Sequence, residues 1–133
     1  MMIRGNTQFY KLLKEKNHIG IPSQVYCTDA RTIPVKDNSV SLIVTSPPYV
    51  TSYEYTDLHQ LTALWLEYTK DLSYFRKRFI GTSYYSKKDL VLNSEIAEKI
   101  RNELLKKDKK TAEEVSTYFS EMNQVFVEMK REC

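Results

Sequence analysis

The sequence predicts an α/β fold of few parallel strands and several helices, and three observations point to it. Two short apolar runs bounded by turn-forming residues read as strands, "QVYCTDA" at 24–30 and "SVSLIVTS" at 39–46. The second is apolar at successive positions near its end (Leu42, Ile43, Val44), the pattern of a strand covered on both faces, as in a parallel sheet. Around these runs lie segments whose apolar residues recur at helical spacing and would supply that cover.

In chain order, "TQFYKLLKEK" at 7–16 suits a short amphipathic helix with Phe9, Leu12 and Leu13 on one side, ended by Gly20 and Pro22. The strand at 24–30 closes around Asp29, and the turn-rich "RTIPVKDN" leads into the strand at 39–46. Behind a candidate cap at Thr56, the spacing of Leu58, Leu61, Leu64, Trp65 and Tyr68 predicts a packed helix over 57–70. Ser94 precedes a more charged helix over 95–107, with Ile96, Ile100 and Leu104 four residues apart. The last helix, 112–131, has Thr111 and Glu114 as a capping box. Its residues Val115, Tyr118, Phe119, Met122, Val125, Phe126 and Met129 trace one apolar stripe that reads as core-facing.

Composition narrows the class of protein. A chain of 133 residues is about one domain long, and a hydrophobic fraction of 41% with 28% charged residues is ordinary for a soluble globular protein. No apolar run approaches the ~20 residues of a membrane span, and the N-terminus lacks the apolar core of a secretory signal. Cys27 and Cys133 show neither metal nor redox spacing, so an intracellular, cytoplasmic protein with two free thiols and no metal site is expected. A net charge of +3 does not by itself mark a nucleic-acid binder.

The chemistry concentrates at "TSPPY", Thr45 to Tyr49, directly after the second apolar run. Each proline fixes φ and lacks an N–H, so the pair cannot continue a strand. In an open α/β sheet this position, beyond the carboxyl end of a strand, is where ligands sit. Proline carbonyls without a ladder partner and the Ser46 hydroxyl are hydrogen-bond acceptors, and Tyr49 offers a flat face. An exocyclic amino group on a base, with two donors and a π-surface, complements such a set.

At these residues the chain resembles the amino-group DNA methyltransferases, which carry a (Ser/Asn/Asp)-Pro-Pro-(Tyr/Phe/Trp) tetrapeptide at the active site. The likeness extends along "DARTIPVKDNSVSLIVTSPPYVTSYEYTDLHQLTALWL" and to "FRKRFIGT", covering residues 25–82 well and the rest loosely. It implies that the whole chain, 1–133, is a single partial Rossmann-like methyltransferase domain, with the tetrapeptide in region 25–82 and a helical C-terminal part at 94–132. The implied reaction moves a methyl group from S-adenosylmethionine to an exocyclic amino group, cytosine N4 in preference to adenine N6. Ser46, Pro47, Pro48 and Tyr49 would form the catalytic loop. A flipped-out base would stack on Tyr49 while its amino group donates to the Ser46 hydroxyl and the Pro47 carbonyl. Asp29 matches the family's acidic residue near the cofactor's adenine; on its own it reads equally as a turn-former in "TDAR". Tyr53, Tyr55 and His59 are expected to pack or to touch DNA rather than take part in chemistry.

The family's Gly-rich cofactor turn is missing, since Gly5, Gly20 and Gly81 are the three glycines and none has that setting. The chain is therefore expected to be about half an enzyme, inactive alone and using S-adenosylmethionine only with a separate chain that carries the Gly-rich half. The alternative is a catalytically inactive remnant serving as a DNA-binding or oligomerising module. Methyltransferases of RNA or of protein glutamine, which usually have asparagine first in the tetrapeptide, come third. The isolated chain is expected to self-associate. DNA is the expected substrate, and between Lys70 and Lys88 six basic residues face one acid, Asp71, with Tyr74, Phe75, Phe79, Tyr84 and Tyr85 interleaved. Within that segment Arg76, Lys77 and Arg78 are the candidate DNA contacts; the alternative is a solvated basic helix with its aromatics inward.

Overall fold

In a computed structural model of the chain, which describes residues 2–50, 55–87 and 90–133, with backbone alone at 2–4, 55 and 56, the regular structure is helical throughout. The helices are α1 (Met2–Glu15), α2 (Tyr55–Trp65), α3 (Leu72–Arg76), α4 (Glu95–Leu105) and α5 (Lys109–Glu132). No strand is present among the described residues, which overturns the expected α/β fold and its partial Rossmann-like sheet. The reason is physical: apolar alternation makes a segment compatible with a strand, but a strand exists only as half of a hydrogen-bonded ladder. Residues 24–30 and 39–46 have no such partner, and several of their apolar side chains face outward, Val25 being 96% and Val44 86% exposed.

The helix ends follow local chemistry. Asn17, in the left-handed region at φ 55°, closes α1 with the His18 N–H donating to the Leu13 carbonyl, before Gly20 and Pro22 are reached. Glu67 does the same for α2 at φ 55°, so that helix stops short of residue 70, with Leu58, Leu61 and Trp65 exposed rather than packed. The short α3, absent from the sequence expectation, is nucleated by Asp71, whose carboxylate accepts from the Ser73 and Tyr74 N–H groups. Ser94 caps α4 as expected, accepting from the Ala97 N–H. For α5 the cap is Asp108 and not Thr111: one carboxylate oxygen accepts from the Lys110 N–H at 2.9 Å and the other from the Thr111 hydroxyl at 2.6 Å.

Helix α5 is the spine. It packs on α4, burying Ala97, Ala112, Val115, Met122 and Val125. Phe126, placed on the same stripe by the sequence, is 54% exposed. The other face of α5 is polar and equally buried. Thr117, fully enclosed, accepts from the Lys87 N–H at 2.8 Å and donates to the Glu113 carbonyl at 2.9 Å.

At the far end of α5 the irregular chain 29–40 wraps around the helix. Glu128 accepts from the Ile33 N–H at 2.7 Å. Arg131 donates to the Val35 carbonyl at 3.0 Å, to the Ile33 carbonyl at 3.2 Å and to Asp37 at 2.5 Å. The N–H groups of Ser39 and Val40 then donate to the Glu132 carbonyl, one of the last-turn carbonyls of α5. Backbone groups that a sheet would have paired are satisfied here by side chains and by the helix terminus. Among the described residues no helix is long and apolar enough to cross a membrane.

The Arg131 guanidinium and the Ile33 N–H together hold the Glu128 carboxyl down at about 2, against an ordinary 4.5. A carboxyl whose pKa is lower folded than unfolded adds stability that is complete above about 4.5 and is lost as pH falls through about 2. Acid titration of the wild type, followed by hydrogen exchange at Ile33 and Val35, should therefore show the wrap loosening across that window. Glu128→Gln should weaken it at neutral pH and remove this part of the acid dependence; the same acid profile in the variant would show that Glu128 does not hold the wrap.

Candidate active site

Beside the polar face of α5 three separate segments meet around a cavity of about 560 Å³. They are residues 27–31, the Pro48–Tyr49 end of the tetrapeptide, and a stretch running from Phe75 to Thr82. All three lie within the 25–82 region that carries the sequence resemblance.

The first wall is a tight turn. The Asp29 carbonyl accepts from the Thr32 N–H at 3.0 Å, and its carboxylate takes the Arg31 guanidinium side-on, at 2.9 Å to Nε and 2.6 Å to Nη2. The Arg31 N–H adds a further bond of 2.9 Å to the same carboxylate. The hydrogen bonds from the Arg31 side chain hold the Asp29 carboxyl below its usual range, with Arg78 contributing more weakly. Asp29 thus acts as the turn-former that "TDAR" suggested and also lines the cavity.

The second wall is the tetrapeptide. Pro48 and Tyr49 line the cavity, with Tyr49 62% exposed, whereas Ser46 and Pro47 are exposed outside the lining. The Pro48 carbonyl accepts from the Tyr118 hydroxyl at 3.0 Å.

The third wall separates the three candidate DNA contacts. Arg76 is committed to structure: it pairs with Asp57 at 2.8 Å, donates to Gln60 at 3.1 Å and lies 4.7 Å over the Tyr84 ring. The Tyr84 hydroxyl donates to the same Asp57 at 2.7 Å, and this bond, with Arg76, lowers the Asp57 pKa. Arg78 faces the cavity, its guanidinium 5.7 Å from the Tyr74 ring, and Lys77 is exposed just past the end of α3. Tyr53 lies outside the described residues, and His59 is exposed on α2.

Glu121 joins these walls and was not singled out in the sequence. Its carboxylate, 5% exposed, accepts from the Gly81 N–H at 2.8 Å and faces Arg31 at 3.5 Å and Lys87 at 4.0 Å. The available signal was the spacing of Thr117 and Glu121, four apart on α5, which reads as a solvated face because both side chains are polar. Gly81 is the other residue whose role appears only in three dimensions. Its φ is +72°, and a Cβ placed on it would lie 2.5 Å from Cδ2 of Tyr118.

Among the described residues no group of three metal-ligating side chains is assembled, and Cys27 and Cys133 are exposed and unpaired. Comparison of the chain with family models, with curated proteins and with solved structures gave no match.

Gly81→Ala should destabilise the fold by about 2–4 kcal/mol, combining left-handed strain with displacement of the Tyr118 ring. Gly20→Ala is the control, because Gly20 has φ +81° with nothing within 4 Å and bears the backbone cost alone. Equal shifts of the two variants in denaturant melts would show that the ring contact carries no energy.

Proposed function

We propose that this chain is the base-holding part of an amino-group DNA methyltransferase, acting in the cytoplasm on cytosine N4 in preference to adenine N6. One observation carries the reading: the fold draws Tyr49 and Pro48 to the same cavity as Asp29 and the "FRKRFIGT" stretch, so the segments that share the sequence resemblance also share a site. The chemistry of this chain is the handling of the amino group. Tyr49 supplies a stacking face, and the Ser46 hydroxyl and Pro47 carbonyl stand in exposed chain where an extruded base can reach them. Two acceptors on one amino nitrogen draw it toward tetrahedral geometry and free its lone pair, so catalysis is positioning and electrostatics without a covalent enzyme intermediate.

The residues present do not form a seat for S-adenosylmethionine by themselves. Asp29 is already bonded through both carboxylate oxygens to Arg31, and Gly81 spends its N–H on Glu121 while Tyr118 fills the space beside its Cα. The methyl donor is therefore assigned to a Gly-rich part outside these residues, which we propose a separate chain supplies. The outward-facing Val25, Val44, Leu58, Leu61 and Trp65 provide apolar surface for such a partner. The same surface favours a second reading, an oligomerising module without activity, and the two part on whether any partner restores methyl transfer.

In a reconstituted enzyme, Tyr49→Ala should lose stacking worth about 1–3 kcal/mol per base. Ser46→Ala should slow transfer more than it weakens DNA binding. Unchanged turnover in both variants would remove these roles.

Salt dependence tests the DNA face. Lys77→Ala and Arg78→Ala should each flatten the fall of log affinity with log salt by about 0.9 for each phosphate that is no longer neutralised. Arg76→Ala should lower the melting temperature and leave the slope alone. A slope that responds to Arg76 but to neither neighbour would reverse the assignment.

A further inference from the structure

We propose that Tyr118 is the positioning residue of the tetrapeptide loop, an assignment that rests on the function proposed above. Pro47 and Pro48 have no N–H, so two consecutive residues of this loop can be fastened to the protein only through their carbonyls. A donor must reach in from elsewhere, and the Tyr118 hydroxyl does so, donating to the Pro48 carbonyl at 3.0 Å across 70 residues of sequence. That choice separates the two prolines by task. The Pro48 carbonyl is the anchor, while Ser46 and Pro47 remain in exposed chain with their acceptors available to an amino group.

The ring that delivers the hydroxyl is itself seated. Gly81 lies against one edge, where an added Cβ would come within 2.5 Å of Cδ2, and Phe119 meets the ring edge-to-face with centroids 5.7 Å apart. Gly81 is held in turn by Glu121, three residues along α5 from Tyr118, at 2.8 Å. The 81 loop and the tetrapeptide are thus fastened to neighbouring positions of one helix, and α5 sets the distance between them. Tyr118 touches no reacting atom in this scheme; it acts through Pro48.

The test uses Tyr118→Phe, which keeps the ring against Gly81 and removes only the hydroxyl. The Pro48 carbonyl 13C resonance reports the anchor, and fluorotyrosine 19F spectra, with Tyr49→Phe assigning the signal, report the neighbouring ring. The expected result is a melting temperature close to wild type, an upfield shift of the Pro48 carbonyl and a broadened or split Tyr49 signal. Unchanged Pro48 and Tyr49 signals overturn the proposal. If Tyr118→Phe does not fold, the wild type still decides: in deuterium oxide the Pro48 carbonyl line should show an isotope shift from the Tyr118 hydroxyl in addition to the one its bonded Tyr49 N–D produces, and absence of that second shift is equally fatal. Neither readout needs a partner, DNA or methyl transfer, so a chain that never becomes active would sink the proposed function and leave this point decided by the spectra. In a reconstituted enzyme the same variant should lower kcat about tenfold or more with the KM for DNA unchanged, and an unaltered kcat would return Tyr118 to a purely structural place.

Discussion

Irregular chain carries backbone donors and acceptors that cannot be left unpaired where it packs, and this protein has no sheet among its described residues to pair them. Much of the requirement is met by the side chains of one helix, α5. Glu121 takes the Gly81 N–H, Thr117 the Lys87 N–H and Glu128 the Ile33 N–H, while Tyr118 and Arg131 donate to carbonyls at Pro48, Ile33 and Val35. The apolar face of α5 supplies the burial and the polar face supplies the addresses at which the rest of the chain is attached. The bonds of Glu121, Glu128 and Arg131 are charge-assisted and so stronger than the neutral ones, and a few of them locate long stretches of irregular chain.

The cavity inherits its shape from this arrangement. Its walls come from segments that are each tied toward α5: Arg31 and Gly81 meet at Glu121, and Pro48 is held by Tyr118. Aromatic faces from Phe75, Phe79 and Tyr49 and the guanidinium of Arg78 share the space with an Asp29 whose charge is already answered by Arg31. Such a lining suits a flat, hydrogen-bonding ligand better than a compact cation.

Features written in local sequence were legible. Ser94 announces α4 through one side-chain bond, and the stripe of α5 needs only its own 3.6-residue period, so both elements stand where expected. The strands at 24–30 and 39–46 were misjudged because pairing depends on a neighbour that local pattern does not contain. At the site, motif and neighbourhood together brought out Asp29, Pro48, Tyr49 and Arg78, which line one cavity, while Ser46 and Pro47 lie outside it. The structural role of Arg76 was hidden because its partner Asp57 stands nineteen residues away, and Glu121 because a buried carboxylate looks in sequence like any exposed one.

The attachment of early chain to late helix has a consequence for how the protein is made. The bonds between Arg31 and Glu121, Ile33 and Glu128, and Arg131 and Ile33 span 90, 95 and 98 residues, so these segments emerge well before their partners on α5. At a synthesis rate of about 5–20 residues per second, the Asp29 turn and its neighbours wait on the order of 5 to 20 seconds for α5. Assembly of the cavity therefore waits until the spine has been made.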